Sequence, residues 1–221
     1  MNQEEETDMN QPQEETQTEK RPNEHFGFHV EGYLKIFDPE NGDVFVDKRN
    51  AIHYENFSVA MANSLANQGK GTIFEMVFGS GGTTVDSTGL ITYLTPNTNG
   101  INSSLYNSTY SKIVDQSSRS NLDPLRNKMG IKHVSGATYT DILITCLLDY
   151  GEPAGQLAFD NSTDTSGNFI FDELGLRSYD PTGTGKLLTH VIFHPFQKSL
   201  NRLIEIDYTI RVQSLTGFTE V

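Results

Sequence analysis

Six histidines, 29 carboxylates and one cysteine are the side chains of this 221-residue sequence best suited to chemistry. His190 and His194 stand four residues apart, the spacing that places two imidazoles on one face of a zinc-binding helix. The surrounding segment Leu187 to Phe193 reads instead as a strand. At ~3.3 Å per residue that sets the two rings ~13 Å apart, too far to share a metal. His25, His29, His53 and His133 form no recognisable ligand set. Thr182-Gly183-Thr184-Gly185-Lys186 carries part of a phosphate-loop pattern, but Asp180 stands where that pattern needs glycine, and Leu187 where it needs Ser or Thr. A glycine-rich turn accounts for it. Asp160, Ser162 and Asp164 follow a calcium loop loosely, with Gly167 too late and no closing glutamate. Asp149, Glu152, Asp172 and Glu173 lie near expected strand ends. They are candidates for an acid–base pair only if folding brings two of them together. Gly-x-Ser-x-Gly is absent, and Gly79-Ser80-Gly81 lacks the spacing of a nucleophile elbow. The expectation is no catalytic, cofactor-binding or metal-ligating residue, no cofactor and no enzyme.

Composition narrows the remaining classes. Cys146 is alone, which excludes an internal disulfide, and its apolar surroundings Ile142 to Leu148 mark it as a small buried hydrophobe. No apolar run approaches the roughly 20 residues that span a bilayer. The polar, acidic N-terminus is unlike a signal peptide, so a soluble protein of a reducing compartment is expected. A net charge of -13 argues against direct nucleic-acid contact, which begins by neutralising phosphates.

Two regions are expected: an acidic, extended or disordered N-terminal arm over 1–25 and a single domain over 26–221. Between Met1 and Glu24, eight acidic residues face only Lys20 and Arg21, and no aromatic is present. Such a segment buries too little to offset the entropy of ordering and is expected to order, if at all, against a neighbouring subunit. Extended at ~3.3 Å per residue it reaches up to ~80 Å.

From Phe26 the pattern has period two. Phe28, Val30, Leu34 and Ile36 alternate with mostly polar residues, Asp38 to Asp43 supplies turn chemistry, and Val44-Phe45-Val46 returns as a hairpin arm. One helix is expected from about Asn56 to Asn67, capped by Asn56 or Ser58 and stopped by Gly69 and Gly71. Further strands are expected at Ile73 to Phe78, Leu90 to Leu94, Tyr139 to Leu148, Phe169 to Leu176, Lys186 to Phe193 and Arg202 to Val212. The fold class is therefore mainly β, an antiparallel β-sandwich with one short helix.

Several strings resemble virion proteins of tailed bacteriophages. They are Val46-Asp47-Lys48-Arg49-Asn50-Ala51-Ile52-His53 leading into a helix, and Phe78-Gly79-Ser80-Gly81-Gly82-Thr83 closing the next strand. In the second half they are Phe171-Asp172-Glu173-Leu174-Gly175-Leu176, Leu188 to Pro195, and Ile206-Asp207-Tyr208-Thr209-Ile210-Arg211. The chain is similar, over about 27–215, to a structural protein of contractile-tailed marine cyanophages. That resemblance implies a non-enzymatic virion component, assembled in the host cytoplasm and partnered by other virion proteins and by copies of itself. Capsid decoration is the first expectation, with the tail, neck, baseplate or fibre attachment as other positions.

Read as residues, the same strings imply fold maintenance. Gly79, Gly81 and Gly82 permit positive φ or close backbone approach, and Asp172-Glu173 is expected to mark the end of a strand at a turn. Two other classes remain. A glycan-binding module is suggested by Tyr with Asn- and Ser-rich loops around Asn97 to Tyr110, although Trp is missing. An enzyme would need Asp149, Asp172 or their neighbours to converge in a cleft.

Overall fold

The computed structural model describes residues 27–153 and 170–215. The expected arm and the Asp160, Ser162, Asp164 loop lie outside the described residues. Among the described residues twelve strands and one helix run in the order β1 (Gly27–Phe37), β2 (Val44–Arg49), β3 (Ala51–Ile52), α1 (Tyr54–Leu65), β4 (Ile73–Gly79), β5 (Thr83–Val85) and β6 (Ile91–Tyr93). They continue with β7 (Ser108–Ile113), β8 (Lys128–His133), β9 (Tyr139–Leu148), β10 (Ile170–Ser178), β11 (Leu187–Gln197) and β12 (Ile204–Leu215). The first five-stranded sheet has the order β2-β1-β12-β9-β8, the second β3-β11-β10-β4-β7, and β5 pairs with β6 alone. All pairings are antiparallel. This is a β-sandwich with one helix, the expected class.

The two sheets bury their faces differently, and the sequence shows it. In the first sheet β12 alternates: Ile204, Ile206, Tyr208 and Ile210 are buried while Asp207 faces solvent. One face meets the core and the other is wet, as period two requires. In the second sheet β11 is buried without interruption from Leu187 to Phe193, and β10 from Phe171 to Leu176. Its inner residues, among them Met76, Phe78, Leu174 and Leu176, pack against Leu34, Ile36, Ile144 and Ile206. Its outer face is covered by the segment after β6, where Leu105 packs on Val77 and Leu187. Cys146 is fully buried in the core, and burial pushes its thiol up to about 12, leaving it an inert thiol.

The chain changes sheets at Asn50. Its N–H still donates to Gly32 O in the first sheet at 3.1 Å, and β3 then pairs with β11 in the second. Three residues on, the helix begins earlier than its sequence suggests. His53, rather than Asn56 or Ser58, caps it, Nδ1 accepting from Asn56 N–H at 3.2 Å. Asn56 sits inside the first turn, buried, and donates from Nδ2 to Leu187 O. The helix ends at Leu65, with Asn67 in the left-handed region at φ 50°.

Four strands escape the hydrophobic pattern: β3, β5, β7 and β8. The last two are the outer strands of their sheets, so their side chains have one neighbour strand and a polar composition is tolerated. The Thr182–Lys186 string lies in the connection from β10 to β11 as a turn, with Thr182 N–H donating to Asp180. No helix among the described residues is long and apolar enough to cross a membrane.

Ile206 lies at the centre of the core, fully buried. Ile206→Ala is expected to lower unfolding stability by ~2–5 kcal/mol in urea denaturation, the usual result of leaving a cavity in a packed core.

Candidate functional site

The carboxylates of Asp172 and Glu173 do not mark a turn. They sit within β10, 3 % and 0 % exposed, where a buried carboxylate must be fully hydrogen-bonded. A slip in the ladder makes room for them: Phe171 faces Phe196 while Glu173 faces Ile192, so two steps along β10 match four along β11. Pro195, which has no N–H to give a ladder, falls in the extra length. Such bulges re-aim side chains.

Two segments distant in sequence close on this pair. Asp172 accepts from Gly82 N–H at 2.9 Å, Thr83 N–H at 2.8 Å and the Thr83 hydroxyl. Glu173 Oε1 accepts from Asn107 N–H at 2.7 Å and Gly81 N–H at 3.2 Å. Its Oε2 accepts from Tyr106 N–H at 2.9 Å and is 2.9 Å from His190 Nε2. The other ring nitrogen of His190 accepts from Asn97 N–H at 2.7 Å. That fixes the tautomer by its partners: Nδ1 is bare, Nε2 carries the proton and donates it to Glu173, and the imidazole is neutral. Burial alone would raise the Glu173 carboxyl, but the hydrogen bonds from His190, Asn107 and Tyr106 outweigh it and hold the group below its ordinary value.

None of Gly79, Gly81 and Gly82 adopts positive φ. Their use is close approach: a Cβ on Gly79 would stand 2.6 Å from Asn107 O and collide with the Glu173 carboxylate, and one on Gly81 would stand 2.8 Å from Asn107 N. The glycine string and the Asp-Glu string are thus two halves of one contact. Sequence reasoning separated them because they lie some ninety residues apart.

Chemically, the cluster spends the hydrogen bonds of its carboxylates and its histidine on the fold. The remaining histidine nitrogen is taken by the backbone, and both Glu173 oxygens are taken by N–H groups of the fold. His194 is exposed on the other side of the bulge and contacts Tyr93 OH at 3.2 Å, sharing no partner with His190. Among the described residues no three His, Cys, Asp or Glu side chains gather as metal ligands.

Asp149 and Glu152 belong to a separate cluster. Asp149 accepts from Tyr150 N–H and, at 2.7 Å, from Arg126. Those contacts hold its carboxyl below the usual range, the Tyr150 bond contributing most. Glu152 accepts from Asp149 N–H at 2.9 Å and pairs with Lys112, whose ammonium also donates to Leu147 O. The partners named for this cluster are not those of Asp172 and Glu173. Lys198, 1 % exposed, lies near this group and donates to Ser199 O at 2.9 Å. Burial pushes its ammonium down to about 8, against the opposing pull of Glu152 and Asp149. Its sequence neighbours Gln197 and Ser199 gave no signal of that burial.

No protein-family model matches this chain, and no curated protein or solved structure matches it either.

Glu173→Gln replaces an acceptor with an amide that turns donors toward N–H groups. A loss of ~2–4 kcal/mol in urea denaturation at neutral pH is expected, as for other buried charge-assisted hydrogen bonds. Because the folded carboxyl titrates below the unfolded one, the gap between wild type and variant is complete above about pH 4.3. It closes as pH falls through the lower folded value. Lys198 has the same direction in a higher window, but its shift comes from unfavourable burial of the charge. Between about pH 8 and about pH 10.4 the unfolded chain holds a proton that the folded chain has released, so this residue makes stability rise with pH. Lys198→Met is expected to be more stable than wild type below pH 8, with the advantage shrinking across that window in paired denaturation curves.

Proposed function

We propose that this protein is a non-enzymatic structural component of a tailed-phage particle, held by protein–protein contacts and placed on the capsid as a decoration subunit. The observation that carries the reading is an apolar groove of about 670 Å³ between α1 and the open β8 edge. Met61, Ile73, Met129 and Ile142 line it, and Leu65 and Ile131 flank it at 83 % and 79 % exposure. Large exposed aliphatics around an apolar depression are what an assembling subunit buries. Beyond Met129, whose N–H and C=O bond the Gln116 side chain, the outer edge of β8 adds a second means of contact, strand addition by a neighbouring particle subunit.

Three further observations support it. The one carboxylate–histidine contact in the described core is closed by the protein's own backbone donors, so it serves loop placement. The strings similar to cyanophage virion proteins converge on that same scaffold: Gly81, Gly82 and Thr83 donate to Asp172 and Glu173, and Tyr208 bonds Asn50. Finally, a strongly negative chain suits contact with other proteins better than with packaged nucleic acid.

Immunogold labelling of intact particles with antibody against the protein tests the reading, together with mass spectrometry of purified particles. Label over the head is expected. Label at the neck, baseplate or fibres would move the protein into the tail machinery, and particles lacking both label and peptide would overturn a virion role. Leu65→Glu with Ile131→Glu, both at exposed positions, is expected to leave the circular dichroism unchanged and to remove the protein from particles.

A further inference from the structure

We propose that the crevice at the sheet crossover is a binding site for a neutral pyranose sugar, a function separate from particle assembly. The crevice has a volume of about 650 Å³, within the usual ~300–1,000 Å³ of small-ligand sites. It opens where the chain leaves the first sheet at Asn50. β1 forms one wall, the first turn of α1 a second, and residues 98–100 a third.

These walls are fixed from behind. His53 caps α1 through Nδ1, and its Nε2 lies 3.0 Å from Gly100 O, so one imidazole ties the helix wall to the 98–100 wall. Asn97, next to that wall, is held by His190 at 2.7 Å. Asn50 is fixed by the hydrogen bond its Nδ2 donates to the buried Tyr208 hydroxyl, and it lies over Gly32, where any Cβ would collide with it. Its Oδ1 is buried and has no hydrogen-bond partner. A site whose walls are already ordered loses little entropy on binding, which is what a weak-contact ligand such as a sugar requires.

The exposed groups select the ligand class. Tyr54 projects at the rim, 64 % exposed, as an aromatic face of the kind that takes the C–H face of a sugar ring. Opposite charges stand side by side in Glu31 and Arg49, 3.6 Å apart. A carboxylate that only accepts beside a guanidinium that only donates matches vicinal hydroxyls, each of which does both. Asn99 adds an amide with both functions. Two carboxylates, Glu31 and Glu55, against one arginine disfavour phosphate or another anion. Val30 and Ile52 leave apolar wall between the polar groups, the mixed surface a pyranose presents in return.

The test uses the full chain and a panel of glucose, galactose, mannose and N-acetylglucosamine at millimolar concentration, followed by saturation-transfer and amide-shift NMR. At least one sugar is expected to receive saturation on its ring protons and to shift amides in 29–32, 49–55 and 98–100. Tyr54→Ala, at an exposed position, is expected to weaken that binding about tenfold, the loss of one aromatic contact. Glu31→Gln is expected to weaken it as well, and neither change is expected to alter circular dichroism or particle incorporation. Choline, run in parallel, separates a sugar site from an aromatic cation site. Silence from all four sugars, shifts confined to other residues, preference for choline, or full binding by Tyr54→Ala would each overturn the proposal.

Discussion

The arrangement of this protein depends on a desolvated carboxylate. Glu173 is placed by β10 on the outer face of a sheet whose other face is already the core, and there it has no access to water. An unpaired charge in that position would cost several kcal/mol. It persists because three backbone N–H groups and one imidazole converge on it. The converse is equally important. The 80–83 turn and the 104–107 segment have backbone donors that leave solvent when they lie on the sheet, and Asp172 and Glu173 are where those donors go. One pair of side chains thus lets irregular backbone cover a β-sheet.

That covering explains the uneven burial of the two sheets. The outer face of the first sheet is wet, so its strands alternate. The outer face of the second carries Gly79, Gly175 and Leu187 beneath a loop, with Leu105 pressed on Leu187 and Val77. Gly175 shows how close the contact is: a Cβ there would stand 3.3 Å from the Leu105 side chain above it, besides meeting Leu187 and Thr189 of the neighbouring strand. Between the sheets a second polar link runs from Asn50 to the Tyr208 hydroxyl and on to Thr189, whose Oγ1 accepts from Leu176 N–H at 3.0 Å. Burial raises the Tyr208 phenol above its ordinary value, so it stays a neutral hydroxyl joining one sheet to the other. The crossover at Asn50, the helix cap at His53 and the loop anchored on His190 belong to one connected framework around the crevice.

The framework also separates stability from recognition. Its polar members are buried and, Asn50 Oδ1 and Asn56 Oδ1 apart, hydrogen-bonded within the fold. The groove beside β8 and the crevice beside Tyr54 instead expose apolar and aromatic groups at 64–83 %. Rigid support beneath exposed contact groups is the arrangement by which a small β domain can meet several partners without changing shape.

Hydrophobic period alone determined the class, because alternation reports directly which strand faces meet a core. Tyr139–Leu148 has the same bounds in sequence pattern and in structure, and Ile204–Leu215 differs from its expected range only at the ends. Cys146 was legible as a buried hydrophobe from its neighbours. The strands β7 and β8 were not, since an edge strand needs few apolar residues. The cap at His53 was also hidden, because an imidazole caps only in the tautomer with its Nδ1 bare, and the Gly100 carbonyl that faces its other nitrogen comes from a distant segment. Asp172 and Glu173 looked like charges at a turn, for nothing local indicates that donors from residues 81–83 and 106–107 will reach them. Sequence by itself determined which apolar residues leave water, a property each such side chain carries with it. Only the tertiary structure decided which buried polar groups meet, because hydrogen bonds are directional and short-ranged and their partners here come from segments far apart in the chain.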